Sequence, residues 1–189
     1  MAEDARLGRR GEALRRAVLD ATLGVVAESG ADEATVQRIA RRAGVHETSI
    51  YRRWRTREAL LLDALIDHSR TEIPPPDTGS LRGDLIALLT AVAGFVSSAQ
   101  GRALLRAGAQ ASPEYDDALQ AFWRSRRDAL ADVIDAATRR GELSVDTDPT
   151  LMVETLAAPL HFRALVSRQP IEPDLPGRLV DLVLKGARA

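Results

Sequence analysis

The chain has 189 residues, no cysteine, 28% charged residues at a formal net charge of −1, and 45% hydrophobic residues against only 4% aromatic. The lack of cysteine excludes disulfides and thiolate metal sites, and an aliphatic, alanine-rich composition favours helices packed on helices over a strand-built sandwich. No run approaches the roughly 20 apolar residues of a membrane span, and MAEDARLGRR has no apolar stretch of signal-peptide length behind it, so a cytoplasmic protein without a membrane partner is expected.

Taken in chain order, Leu14, Val18, Ala21, Val25 and Val26 recur at helical spacing, and Gly30 suits the left-handed position that ends such a helix. Thr35 can cap a short second helix with Val36, Ile39, Ala40 and Ala43 on its inner side. Gly44 supplies a turn, Val45 plugs it, and a third helix from about Glu47 to Trp54 buries Ile50. A fourth begins at Arg57, carries Leu60, Leu61, Ala64 and Leu65, and must end before Pro74-Pro75-Pro76. That proline run with the following DTGS is the one clear internal boundary, which predicts a small domain over 1–70 and a larger one over 80–189.

The pattern beyond the boundary stays helical. Leu81, Leu85, Leu88, Leu89, Val92, Phe95 and Val96 form one apolar stripe, and Ala103, Leu104 and Ala107 mark a shorter helix. Ser112-Pro113 reads as a capped opening for a long helix that runs to Gly141. Asp148-Pro149 opens another, lined by Leu151, Met152, Leu156 and Leu160 and kinked at Pro159. A last helix carries Leu175, Leu179, Leu182 and Val183. The expected fold is all-α, with about nine helices and no strand of useful length.

Charge concentrates in one place. Arg38 to Arg57 holds seven arginines against one acid, Glu47, in a chain that is otherwise nearly balanced. Two short helices around Ala43-Gly44-Val45 make this a helix–turn–helix, in which the second helix enters the major groove of double-stranded DNA and the first crosses the backbone. His46, Glu47, Thr48 and Ser49 open the groove helix and are short or polar enough to reach base edges. Tyr51, Arg52, Arg53, Arg55 and Arg57 flank them as phosphate contacts, which supply affinity while base contacts supply sequence choice.

The segment TVQRIARRAGVHETSIYRRWRTREALLLDAL, Thr35 to Leu65, resembles the DNA-binding region of the TetR family of transcriptional repressors. The likeness is carried by Thr35, Ile39-Ala40, Ala43-Gly44-Val45, Ser49-Ile50-Tyr51, Trp54, Arg57 and Ala59-Leu60-Leu61, and covers about the first 70 residues. The rest is similar in layout only. The resemblance implies that Thr35 and Tyr51 hold phosphates, that Thr48 and Ser49 face the groove, and that Arg57 neutralises a phosphate where the family usually has lysine. His46 departs from the serine or threonine cap of many members. Trp54, in place of a common phenylalanine, reads as a packing residue between the third and fourth helices.

The resemblance further implies a repressor released from a palindromic operator by a small-molecule effector, with an activator or a ligand-independent DNA-binding protein of the same fold as the alternative. Its last two long helices would build a homodimer, here through Leu156, Leu160, Leu179, Leu182 and Val183. Its middle helices would enclose the effector among Phe95, Leu104, Gln110, Phe122, Trp123, His161, Phe162 and Arg163, although aromatics at this spacing also suit a core. His161 and Arg163 are a polar pair on an apolar helix and need partners if buried. An anionic or carbonyl-bearing ligand or the acids Asp128 and Asp132 would serve. No enzyme, metal or cofactor is expected: the three histidines are far apart, Asp116-Asp117 diverge on their helix, and there is no H-E-x-x-H, G-x-S-x-G or phosphate-binding glycine loop.

Overall fold

A computed structural model describes residues 2–73, 76–109, 113–144 and 146–186, and every regular element among them is helical. Helix α1 (Ala2–Ser29) starts well before the apolar stripe at Leu14, in a segment where alanine, glutamate, leucine and arginine, strong helix formers, predominate. It stops at Gly30, whose φ of 83° admits the left-handed turn. Helices α2 (Val36–Ala43), α3 (Glu47–Trp54), α4 (Arg57–Glu72) and α5 (Leu81–Ser97) fall where the pattern predicts them. Then come α6 (Ala99–Ala109), a 3-10 turn at Pro113–Tyr115, α7 (Asp116–Arg139), α8 (Pro149–His161), a π-helical turn at Phe162–Ser167 and α9 (Leu175–Gly186).

The chain divides into two compact units. The first comprises Met1–His68 with Ala99–Tyr115. Its core includes Val18, Leu19, Val25 and Val26 of α1, Val36, Ile39 and Ala40 of α2, Ile50 and Trp54 of α3, and Leu60, Leu61 and Leu65 of α4. Helix α6 follows the proline run in the chain and packs against α1 within this compact unit. The reason is its stripe: Gly101, Leu104, Leu105 and Gly108 recur at i, i+3, i+4 and i+7, so one buried face runs the length of the helix.

The second unit comprises Ser69–Ser98 with Asp116–Ala189. Leu85, Leu88, Leu89, Val92, Phe95 and Val96 bury one side of α5, which packs on α7, α8 and α9. The long helix expected from Ser112-Pro113 begins later: Ser112 lies outside the described residues, Pro113–Tyr115 forms a tighter turn, and α7 starts at Asp116. It ends at Gly141 in a Schellman turn, with Gly141 N–H donating to the Thr138 carbonyl and Glu142 N–H to that of Ala137. The Glu142 carboxylate accepts from Arg140 and from the Leu81 N–H at 2.7 Å, and these bonds, Arg140 first, hold its pKa below the ordinary range. Asp148 caps α8 as expected, accepting from the N–H groups of Thr150 and Leu151. Pro159 does not end α8. The helix continues to His161 and then widens into the π-helical turn, which Arg168 closes at a φ of 54°.

Two α8 positions expected on a dimer face lie in the core. Leu156 and Leu160 are fully buried (0% exposed) inside the chain's own core, with Met152 on the same stripe, so neither has surface left for a partner. Of the residues assigned to a dimer face, Leu179 and Val183 are half-buried and Leu182 is 69% exposed. Leu156→Ala is therefore expected to destabilise the chain by about 2–5 kcal/mol through the cavity it leaves, with self-association unchanged at temperatures where the protein stays folded; chemical denaturation and sedimentation on the same samples check both parts.

Candidate nucleic-acid interface

The helix–turn–helix is built by capping and by one glycine. Thr35, in extended backbone, accepts the Arg38 N–H with its hydroxyl at 3.3 Å and so starts α2. A hydroxyl that accepts here still has its own proton to donate, so the cap is compatible with a phosphate contact. Gly44 (φ 67°) turns the chain: its N–H reaches the Arg41 carbonyl at 3.4 Å, and the Val45 N–H reaches that of Ala40 at 3.0 Å. These two bonds form the Schellman arrangement, and a side chain at Gly44 would have to adopt the left-handed backbone.

Helix α3 starts at His46, which is extended and exposed and makes no side-chain cap; only its carbonyl is used, accepting the Ser49 N–H at 2.9 Å. At 100° per residue, Thr48, Tyr51, Arg52 and the C-cap Arg55 fall on one outward face, flanked by Glu47, and all five are exposed. Ser49 is half-buried and lies off the centre of that face, between the outward stripe and the inward pair Ile50 and Trp54.

The seven arginines separate into two groups. Arg38 bonds Ser29 Oγ at 2.8 Å and pairs with Glu33. Arg42 pairs with Glu28 at 2.6 Å and lies over Gly24, where an added Cβ would stand 2.6 Å from its guanidinium. Arg53 packs on the Trp54 ring, 5.6 Å from the centroid, and reaches the Gly11 carbonyl at 3.5 Å. Arg57 donates Nε to the Ala34 carbonyl at 3.0 Å and Nη2 to that of Ala31. It therefore holds the α1–α2 loop that carries Thr35, a role not legible in its position as the family's phosphate cation. Among the described residues, Arg41, Arg52 and Arg55 remain exposed with no side-chain partner, and they are the cations available to a duplex.

A carboxylate missed in the sequence supports this face from behind. Asp63 of α4 accepts the Trp54 indole N–H at 2.9 Å and both forks of Arg15, at 2.8 and 3.2 Å. Arg15 also reaches Asp67 at 3.1 Å, and these carboxylates, Asp63 first, raise its pKa above the ordinary arginine value. Trp54 is buried and joins α3 to α4, as its packing role requires. An acid one residue before the apolar Ala64-Leu65 pair, on a helix otherwise facing the core, was the available signal for Asp63.

The residues assigned to an effector are not all gathered in one place. Leu104 is fully buried in α6 of the first unit, and Gln110 lies outside the described residues. In the second unit Phe95 is buried on α5, and Phe122, Trp123 and His161 form a cluster. The Phe122 and Trp123 ring centroids are 4.9 Å apart, and Trp123 meets His161 edge-on at 6.0 Å. His161 Nδ1 lies 3.0 Å from the Ala157 carbonyl, which can only accept, so a neutral ring keeps its proton there and leaves Nε2 as an acceptor. Phe162 is exposed, and Arg163 donates to the Pro170 carbonyl at 2.9 Å.

Two family models match the chain: residues 18–64 fit the bacterial regulatory proteins of the tetR family, and residues 75–183 fit the tetracyclin repressor-like C-terminal domain. The chain belongs to the TetR family. This TetR-family regulator is 38% identical over 179 residues to the HTH-type transcriptional regulator AqdR of Rhodococcus erythropolis, covering 94% of this chain and 86% of the relative. It is 33% identical to the DNA-binding transcriptional repressor TetR of Mycobacteroides abscessus, over 93% of this chain and 94% of that one. The crystal structure of the TetR family transcription regulator SCO0332 superposes with a TM-score of 0.80 at 28% identity, covering 93% of this chain and 99% of the other. It is thus an all-helical, helix–turn–helix transcriptional regulator that binds DNA.

The division of the arginines has a measurable consequence. Arg52→Ala should lower the salt slope of DNA binding by about 0.9, the contribution of one phosphate contact, and weaken all sequences alike, whereas Arg42→Ala should leave the slope unchanged. Titrations over a range of salt concentrations check this, and equal slopes for the two variants would contradict the division.

Proposed function

We propose that this TetR-family regulator is a homodimeric repressor that reads a palindromic operator with α3 and leaves it when a small molecule binds the second unit. The observation that carries the DNA part is the outward face of α3. Thr48, Tyr51, Arg52 and Arg55 lie there together and are exposed; the hydrogen-bonding groups of Thr48 and Glu47 suit base edges and the arginines suit phosphates. His46, the N-cap of α3, is exposed and makes no side-chain cap, so its ring is left to add a donor or acceptor to the readout. Tyr51, an apolar ring that is 48% exposed, suits a phosphate contact through its hydroxyl with the ring against the sugar edge.

Dimerisation is supported by what the second unit leaves uncovered. Leu151, Phe162, Val166 and Leu182 are each more than half exposed, all on α8, its π-helical extension or α9. Large apolar side chains of this kind, clustered on adjacent elements, are the usual mark of a subunit contact. The two copies would present two α3 helices to half-sites one helical turn apart. A ligand that prefers another arrangement of α5, α7 and α8 would weaken binding by as much as its affinity differs between the two states. Trp123, with an exposed indole, and His161, edge-on to it with Nδ1 taken by the Ala157 carbonyl, are the residues of the second unit best suited to meet it.

Selection of bound sequences from random DNA tests the reading; a two-fold symmetric motif is expected, and the absence of any palindrome overturns it. On the selected operator, Thr48→Ala should change the preference at one base position in each half-site, by about 1–3 kcal/mol of discrimination. Leu182→Asp should convert a dimer to a monomer by sedimentation without lowering the melting temperature of the subunit, because Leu182 contributes little to the core.

A further inference from the structure

The turn between α3 and α4 is strained, and it is held from both sides. Arg55 has a φ of 62° and a ψ of −44°, a conformation L side chains rarely adopt. The Thr56 N–H donates to the Trp54 carbonyl at 2.7 Å across it, which makes Arg55 the centre of a γ-turn of the rare, strained hand. Such a backbone persists only where its surroundings over-determine it. On the α3 side, Trp54 is locked by Asp63. On the α4 side, the Thr56 hydroxyl accepts the Ala59 N–H at 3.1 Å and so caps α4, and it shares a second hydrogen bond with the phenol of Tyr115.

Tyr115 is a surprising partner. It lies 59 positions further along the chain, at the end of the 3-10 turn that follows α6, and the next residue begins α7. Both hydroxyls are half-buried, so the bond is poorly replaced by water. Arg55 is one of the three arginines left free for a duplex, and Arg52 lies one turn before it on the same face. Any change in the Thr56 position rotates the end of α3 that carries both.

We infer that Tyr115 is a positioning residue for DNA readout: through the Thr56 hydroxyl it holds the strained Arg55 turn, and with it the angle at which α3 presents Thr48, Arg52 and Arg55. This rests on the DNA-binding reading above. Losing the phenol hydroxyl leaves the positive charge of the face intact, so non-specific attraction to the phosphates persists. What fails is the register of base contacts, which needs a defined helix angle. The bond also sits one residue from the start of α7, so the residue that opens that helix and the residue that steadies α3 are neighbours in the chain.

The test uses the full-length chain and the operator selected from random DNA. Tyr115→Phe should lower the ratio of operator affinity to scrambled-duplex affinity by roughly tenfold, the loss of one partly buried hydrogen bond at the upper end of its range, with affinity for the scrambled duplex unchanged. Thr56→Val should lower the same ratio, and Thr56→Ser, which keeps the hydroxyl, should restore it. In a Trp123→Phe background the remaining Trp54 reports the turn directly, and its emission should shift in Tyr115→Phe. A ratio within twofold of the unmodified chain in both Tyr115→Phe and Thr56→Val overturns the inference, as does an equal loss on both duplexes, which marks a purely structural role. If Tyr115→Phe lacks a cooperative melting transition, the Thr56→Val and Thr56→Ser pair decides alone. Failure of the unmodified chain to select any sequence would instead remove the repressor reading itself.

Discussion

An eight-residue helix is too short to be stable on its own, and the helix that reads DNA here, α3, has that length. Its geometry is therefore imposed through the two side chains it turns inward, Ile50 and Trp54. Ile50 contributes burial, which is not directional. Trp54 contributes an indole N–H that must find an acceptor, and Asp63 supplies it while being held by both forks of Arg15. One carboxylate thus ties α1, α3 and α4 at a single point. An ion pair of this kind is weak support for stability in general. Its value here is orientation, because a bidentate arginine fixes the plane of the carboxylate, and the carboxylate fixes the indole.

The same economy governs the positive charge. Seven arginines within twenty residues suggest a uniformly cationic surface, yet four of them are engaged within the first unit by Glu33, Glu28, the Trp54 ring with Gly11, and the carbonyls of Ala31 and Ala34. Arg38 and Arg42 hold α2 to α1 and the loop before it, Arg53 reaches from α3 to α1, and Arg57 ties α4 to that loop. Among the described residues Arg41 of α2 and Arg52 and Arg55 of α3 are left without a side-chain partner, the last two on the outward face that carries Thr48. The cluster is therefore divided between arginines that hold the first unit together and arginines left exposed, although they stand as little as two residues apart.

The second unit follows another logic. Its helices are apolar enough that most of each face is consumed inside the subunit, as the complete burial of Leu156 and Leu160 demonstrates. Among the described residues of this unit, Leu151, Phe162, Val166 and Leu182 stay exposed on α8, α9 and the π-helical turn between them, and Trp123 on α7. Phe162 and Val166, two and six positions after Leu160, fall at helical spacing on the side away from the stripe formed by Met152, Leu156 and Leu160, and both are exposed.

The all-helical fold, the caps at Thr35 and Asp148, the turn at Gly44, the order of the elements and the family were legible in the amino-acid sequence, because each rests on local preferences or on a motif contiguous in the chain. The outward set on α3 was legible for the same reason: a helical period decides which residues share a face. The engagement of Arg53 and Arg57 was not, since a period cannot say which side chain is taken up by a carbonyl or ring. Neither were the membership of α6 in the first unit, the division of α8 between core and surface, or the bonds from Asp63 to Trp54 and from Tyr115 to Thr56. Those depend on pairs separated by nine to 59 positions, and only the packed tertiary structure brings such groups within hydrogen-bonding distance.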